Sequence, residues 1–427
     1  MPQLDGEDAI LGAAAKGATL AVLALVKSGT HPNTANARGE TAVYVAAENG
    51  HTETVRALVL ECRADANTPD NSGKTPVYVA AENGHTKTVL ALVQECVAGA
   101  DTPDLDGRTP VFTAAFFGRT ETVRALVLIC RADANTPDNS GKTPVFIAAM
   151  CRRTETVRAL VKECAADAST ASNDGYTPVT SAARYGHTET VRALVNECGA
   201  DPNTANAHQD GDTPVCLAAY YGHTETVLAL VKDCGADPNA ANRFRNTPVY
   251  LAAMERHTET ARALVQQCGA DPFPALLAAA QHDDTEMIWT LVRECGVDPA
   301  CRNRDGKTAR DLAPPRSRQS RAFKLLECME AWQAPGHDVY TQNNADKRAD
   351  GFQCPVCRRE TKGDAIAFVP CGHRVCPGCW AGLRARNMHR CPQCRAPIWH
   401  GALSKSIPDQ HMLFSRFCVE LPRACAV

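Results

Sequence analysis

The chain has 427 residues, 44% of them hydrophobic and 22% charged, an ordinary globular composition with room for two or three domains. Its 45 Lys and Arg against 48 Asp and Glu leave a formal charge of −3, which excludes a whole-chain basic field for nucleic acid or acidic membrane. Aromatic residues, at 5%, are too few for an all-β protein, whereas cysteine, at 21, is unusually frequent.

The apolar stretch from Ala9 to Val26 is interrupted by Lys16 and preceded by Asp5, Glu7 and Asp8, where a secretory signal needs positive charge. No run approaches the roughly 18 uninterrupted apolar residues of a membrane span. These features predict a soluble protein of the cytoplasm or nucleus, with no membrane partner and with reduced thiols.

A Thr-(Pro)-Val step then recurs at Thr41, Thr75, Thr109, Thr143, Thr177, Thr213 and Thr247, at intervals of 34, 34, 34, 34, 36 and 34 residues. In the unit from Gly73 to Cys96, Thr75 is placed to cap a helix, and Pro76 falls at the first helical position, where a missing N–H costs nothing. Gly84 ends that helix and a second starts near Thr86. In the preceding unit the second helix carries Val55, Leu58, Val59 and Cys62 as an i, i+3, i+4, i+7 stripe. The segment from Asp65 to Gly73 is a turn. Each unit is thus turn–helix–turn–helix and must stack on its neighbours to bury its stripe. The overall expectation is a mostly α helical solenoid of period 34.

The motifs TPVYVAA, NGHT and CGAD resemble the ankyrin repeat, over roughly residues 6–332 with degenerate ends. The period is 34 instead of that family's 33, and the extra residue lies between the Gly-His and Ala-Asp steps, near the end of the second helix. The family's histidine is replaced by Tyr44, Tyr78, Phe112, Phe146 and Tyr250, so its hydrogen bonding in the turn is expected to be lost. The unit from Asp271 is shortened, and GKTARDLA from Gly306 resembles a terminal cap, followed by a last helix over Ala322 to Trp332.

Eight cysteines recur in register: Cys62, Cys96, Cys130, Cys164, Cys198, Cys234, Cys268 and Cys295. Stacked helices sit about 8–10 Å apart, too far for Cα atoms that a disulfide holds within about 7 Å. They are expected to be small buried apolar residues.

Two positions before the Gly-His step vary most between units: Glu48-Asn49, Glu82-Asn83, Phe116-Phe117, Met150-Cys151, Arg184-Tyr185, Tyr220-Tyr221 and Met254-Glu255. In ankyrin proteins these positions and the turn tips resemble the ligand-facing surface. Phe116, Phe117, Met150, Tyr185, Tyr220 and Tyr221, with Leu105, Tyr176 and Phe244 at the turns, are the candidates for binding a protein substrate, because aromatics and Met are enriched in interface cores. The same side chains would also suit packing between units, and sequence leaves both readings open.

The pattern stops over residues 333–351, a polar linker. Beyond it stand Cys354-x-x-Cys357, Cys371-x-His373, Cys376-x-x-Cys379 and Cys391-x-x-Cys394. Eight ligands make two closed tetrahedral zinc sites, and closed sites are structural. A segment this short has too little core to fold alone, so two structural zinc ions supply its stability.

The order of seven cysteines and one histidine resembles a RING finger over residues 352–398. The PHD class differs by carrying four cysteines before its histidine and a tryptophan before its last pair; here three precede His373, and Arg390 precedes Cys391. The RING resemblance implies interleaved sites, with Cys354, Cys357, Cys376 and Cys379 on one ion and Cys371, His373, Cys391 and Cys394 on the other. It also implies a ubiquitin ligase. The family's docking surface for the ubiquitin-conjugating enzyme maps to Val356, Leu383 and Pro392, and its cation that contacts both conjugating enzyme and ubiquitin maps to Arg395. Leu383 departs from the family's frequent Trp.

Such a ligase has no nucleophile of its own; it holds a ubiquitin thioester in a near-attack geometry while the repeats choose the substrate. A non-catalytic scaffold is the alternative. RNA binding would rest on the module's eight Arg and Lys, but stacking aromatics are few. The tail, 399–427, carries Met412, Leu413, Phe414, Phe417, Val419 and Leu421 and resembles the homodimer elements of some RING ligases.

Overall fold

The computed structural model describes residues 6–207, 210–303, 305–313 and 320–333, and four two-residue strands between 352 and 375. It divides into two compact units, Met1–Phe323 and Lys324–Val427.

The first unit is a succession of helix pairs in which each helix packs on its counterpart in the next pair. The capping threonine sets every first helix. The side-chain oxygens of Thr41, Thr75, Thr109, Thr143, Thr177, Thr213 and Thr247 each accept the backbone N–H three residues on. Proline stands at the first helical position in all but the helix Ala42–Glu48. These helices are short, as in Pro76–Asn83 and Pro110–Phe117, and are almost wholly buried up to their last residues.

Near the end of the second helix, where the sequence puts the extra residue, the winding changes in most units. Thr52–Arg56 is α-helical, but Ala57–Glu61 winds as a π turn, closed by the Cys62 N–H donating to the Ala57 carbonyl at 3.1 Å. Seven second helices end in this way. Thr258–Cys268 alone among the full-length units keeps α geometry to its end.

The buried stripe is narrower than the sequence pattern suggests. Thr54, Val55, Ala57 and Leu58 are buried, while Val59 and Cys62 are half-buried; Val265 and Cys268 of the purely α-helical Thr258–Cys268 are half-buried too, so the position at the edge of the stacked face decides the exposure and not the π winding. Of the eight in-register cysteines only Cys164 is buried; the others stand half-exposed at the helix end, and none is in a disulfide. Burial still raises their thiols, to about 11 at Cys295, so they are not thiolates near neutral pH.

The residue after each of these cysteines adopts a left-handed conformation. It is glycine at Gly199, Gly235, Gly269 and Gly296, but Arg63, Val97, Arg131 and Ala165 in the earlier units.

Two of the tyrosines make a hydrogen bond of a different kind, to the next unit. The Tyr44 hydroxyl donates to Asp70 Oδ2 at 3.1 Å, and that of Tyr78 to Asp104 Oδ2 at 3.0 Å. The phenol is longer than an imidazole and reaches the turn of the next unit. Phe112 and Phe146 have no such group.

Three ladders stitch neighbouring units together. Hydroxyl pairs run Thr19–Thr54, Thr52–Thr88, Thr86–Thr122, Thr120–Thr156, Thr154–Thr190, Thr188–Thr226 and Thr224–Thr260, each at 2.7 or 2.8 Å. The Nε2 of His51, His85, His187 and His223 lies 3.0 Å from a carbonyl at the end of the previous unit's first helix, which only the Nε2–H tautomer satisfies. Arg119 and Arg153 donate through Nε to the equivalent carbonyls. The ring also explains the glycine it covers: a Cβ at Gly50 would stand 2.6 Å from His85 Nδ1. Outside, Arg56–Glu95, Arg124–Glu163 and Arg158–Glu197 pair at 2.6, 2.7 and 2.9 Å.

Thr308 forms a capping box with Asp311 ahead of Ala309–Leu312, and Ser320 donates to Asp283 at 2.6 Å at the start of the last helix, Arg321–Gln333.

In the second unit two antiparallel strand pairs are described. Phe352 pairs with Thr361 and Gln353 with Glu360; Ile366 pairs with Val375 and Ala367 with Arg374.

Candidate partner-binding face and zinc module

The last residues of successive first helices, with the turn residues beside them, make one face of the solenoid. Its register is visible where charges meet. Lys74 precedes the capping threonine and Glu82 lies near the end of the same helix; their side chains pair at 3.1 Å. One unit earlier the same two places hold Glu40 and Glu48. Burial, reinforced by the Glu40 charge, pushes the Glu48 carboxyl above the usual carboxylate range.

The central units replace these charges with rings. Phe116 and Phe117 meet edge to face at 4.8 Å between centroids and Tyr220 and Tyr221 at 5.0 Å. Phe116, Phe117 and Tyr221 are each a little over a third exposed, and Tyr185 is 50% exposed. Met150, Tyr176 and Tyr220 are half-buried. At the turn tips Leu105 and Phe244 are 73% and 67% exposed. Of the sequence candidates, the structure joins Phe116 to Phe117, Tyr220 to Tyr221 and, through Arg184, Tyr176 to Tyr185 and Tyr221, with more open surface at Phe116, Phe117, Tyr185 and Tyr221 than at Met150, Tyr176 and Tyr220.

Arg184 organises the middle of this face. Its guanidinium lies 5.2 Å from the Tyr176 ring centroid, 5.5 Å from Tyr221 and 6.0 Å from Tyr185. Tyr185 and Tyr221 also stack against His187 and His223 at 6.1 and 6.3 Å. The Glu255 charge beside Tyr220 raises that phenol's pKa. Sequence reasoning placed Arg184 among the variable pairs but missed its role; the signal was a lone cation beside tyrosines at the register of Lys74 and Glu82.

Among the described residues no cluster of three or more His, Cys, Asp or Glu is placed to hold a metal. The expected zinc ligands Cys354, Cys357, Cys371, His373, Cys376, Cys379, Cys391 and Cys394 lie outside the described residues, as do Val356, Leu383, Pro392, Arg395, the linker beyond 333 and the tail 399–427. The strands beside them fit a zinc module. Gln353 pairs with Glu360, and Cys354 and Cys357 fall between them in the sequence; Ala367 pairs with Arg374, and Cys371 and His373 fall between those. Thiolates with one imidazole are the donor set zinc prefers.

Family models agree with both halves. That for ankyrin repeats (three copies) matches residues 10–106, 60–128, 95–169, 111–206 and 204–275, and that for the C3HC4-type zinc finger, or RING finger, matches residues 350–400. The chain belongs to the ankyrin-repeat proteins and carries a C-terminal RING-type zinc finger. Ankyrin repeats mediate protein interactions, and RING fingers bind zinc and ubiquitin-conjugating enzymes, so the two modules define a ligase-like or scaffold protein. No helix among the described residues is long and apolar enough to cross a membrane.

Proposed function

We propose that the chain is a RING-type ubiquitin-protein ligase whose ankyrin face selects the protein substrate. The observation that carries this reading is the RING-type match at residues 350–400 together with Val356, Pro392 and Arg395 at the docking and cation positions of that family. Two structural zinc ions would be held by Cys354, Cys357, Cys376 and Cys379, and by Cys371, His373, Cys391 and Cys394, and would supply the stability that so short a segment lacks. Val356, Leu383 and Pro392 would form the apolar seat for the conjugating enzyme. Arg395, with its planar fork of donors, would bridge conjugating enzyme and ubiquitin and hold the thioester against the attacking lysine. The aromatic face from Phe116 to Tyr221 would hold the substrate while the linker sets its reach.

Leu383, where the family often has Trp, favours the second reading, a scaffold that binds without transferring. Full-length protein incubated with activating enzyme, ubiquitin and a panel of conjugating enzymes separates the two. Chain formation that Val356→Ala abolishes, with two zinc ions still bound per chain, supports the ligase. Absence of chains with every conjugating enzyme at full zinc content rejects it.

A further inference from the structure

We infer that the aromatic face takes an extended acidic segment of the partner protein, with carboxylates on Lys142 and Arg184 and apolar side chains on the rings beside them. The inference rests on the reading of this face as the substrate site and adds the chemistry of what binds.

The register across the face decides the charge. The residue before each capping threonine faces the residue eight positions on, as the Lys74–Glu82 pair demonstrates. The same register sets Lys142 beside Met150 and Arg108 beside Phe116. Arg108 is answered by Asp106 at 3.0 Å from its own turn. Lys142 is in no ion pair among the described residues, and the carboxylate that would meet it is a methionine. One unit further, Arg184 keeps its charge between three tyrosines.

This arrangement favours an anion and disfavours a cation. The tyrosine faces that could receive an incoming lysine are occupied by the Arg184 guanidinium, which also repels it. A guanidinium stacked on rings still presents N–H donors at its edge, the geometry that carboxylates match. Toward the first units the sign reverses at Glu48, next to the Arg38-paired Glu40, and toward the last units it reverses at Asp212 and at Glu255 beside Tyr220, which confines an acidic segment to the centre.

Neighbouring helices in such stacks lie about 8–10 Å apart, and an extended chain advances about 3.3 Å per residue. The recognised carboxylates are therefore about three residues apart, with apolar side chains between or beside them. The chain's own zinc module is the wrong occupant: from Phe352 to Ala396 it carries eight Arg and Lys against Glu360 and Asp364.

The test is an array of synthetic peptides in which Asp/Glu, Lys/Arg and Leu/Phe are permuted, probed with the full chain and with its Lys142→Glu and Phe117→Asp variants, all checked for native helix content. Retention of acidic-apolar peptides, weakened about tenfold by Lys142→Glu and by raised salt, is the expected result. Retention of neutral or basic peptides that Phe117→Asp abolishes would overturn the acidic partner and leave the face as a binding site. Retention that neither variant changes, or none at all, would overturn both.

Discussion

Val97 holds a φ of 56° with its side chain 82% exposed, so a β-branched residue is placed in the left-handed region without burial to offset it. Gly199, Gly235, Gly269 and Gly296 fill the same position without strain. Val97→Gly is expected to raise the urea midpoint, by about 1 kcal/mol of local stability after the entropy of the unfolded glycine is subtracted. Tyr78 offers a test with a pH signature. Burial, reinforced by Asp104, raises its phenol far above the ordinary value. The folded chain then keeps a proton that the unfolded chain releases, so this contribution is complete below pH about 10 and falls as the pH rises beyond it. Tyr78→Phe should cost about 1 kcal/mol at neutral pH, through the lost bond to Asp104, and should make the urea midpoint less sensitive to alkaline pH than in the parent.

At the scale of elements, the hydroxyl ladder is the feature that most directly couples units. Thr122 is buried and its hydroxyl meets that of Thr86 at 2.8 Å. Thr86→Val leaves it unpaired and is expected to cost about 1–3 kcal/mol, whereas Thr86→Val with Thr122→Val should cost less than the sum of the single variants; a double-mutant cycle in urea measures the difference. The outer Arg–Glu pairs are exposed, so Arg124→Ala should cost under about 1 kcal/mol despite its short contacts.

The helix pairs, their caps and the site of the extra residue were legible in the sequence because Thr-Pro, Gly-His and period 34 each answer to a local backbone demand. The ladders were not, since Thr52 and Thr88 meet only after stacking, and their spacing of 36 differs from the period. Nor was the π turn: an i, i+3, i+4, i+7 stripe is the signature of an α-helix, and it put Val59 and Cys62 inside, where they stand half-buried at the edge of the stacked face. The candidate face was legible as variability between otherwise alike units. The role of Arg184 was not, because its three tyrosines come from two neighbouring units, Tyr176 and Tyr185 from one and Tyr221 from the next.

At the scale of the whole molecule, stability is divided between two sources. The solenoid rests on stacked helices whose Leu58, Leu92, Leu126, Leu160, Leu194 and Leu230 are fully buried. On the proposed reading the RING-type module rests on metal. A strong chelator is therefore expected to release two zinc ions per chain while leaving the helical circular dichroism of the solenoid nearly unchanged; loss of most of the helix signal on chelation would contradict this division.

The central claim, that the module transfers ubiquitin and does not merely bind, is met most directly by single-turnover discharge. A conjugating enzyme charged with ubiquitin is mixed with free lysine and the full-length chain, and loss of the thioester is followed with the parent and with Arg395→Ala at equal zinc content. The account predicts that the parent accelerates discharge at least about tenfold and that Arg395→Ala loses most of this while still binding the conjugating enzyme. Binding of the charged enzyme by the parent with no acceleration would contradict it.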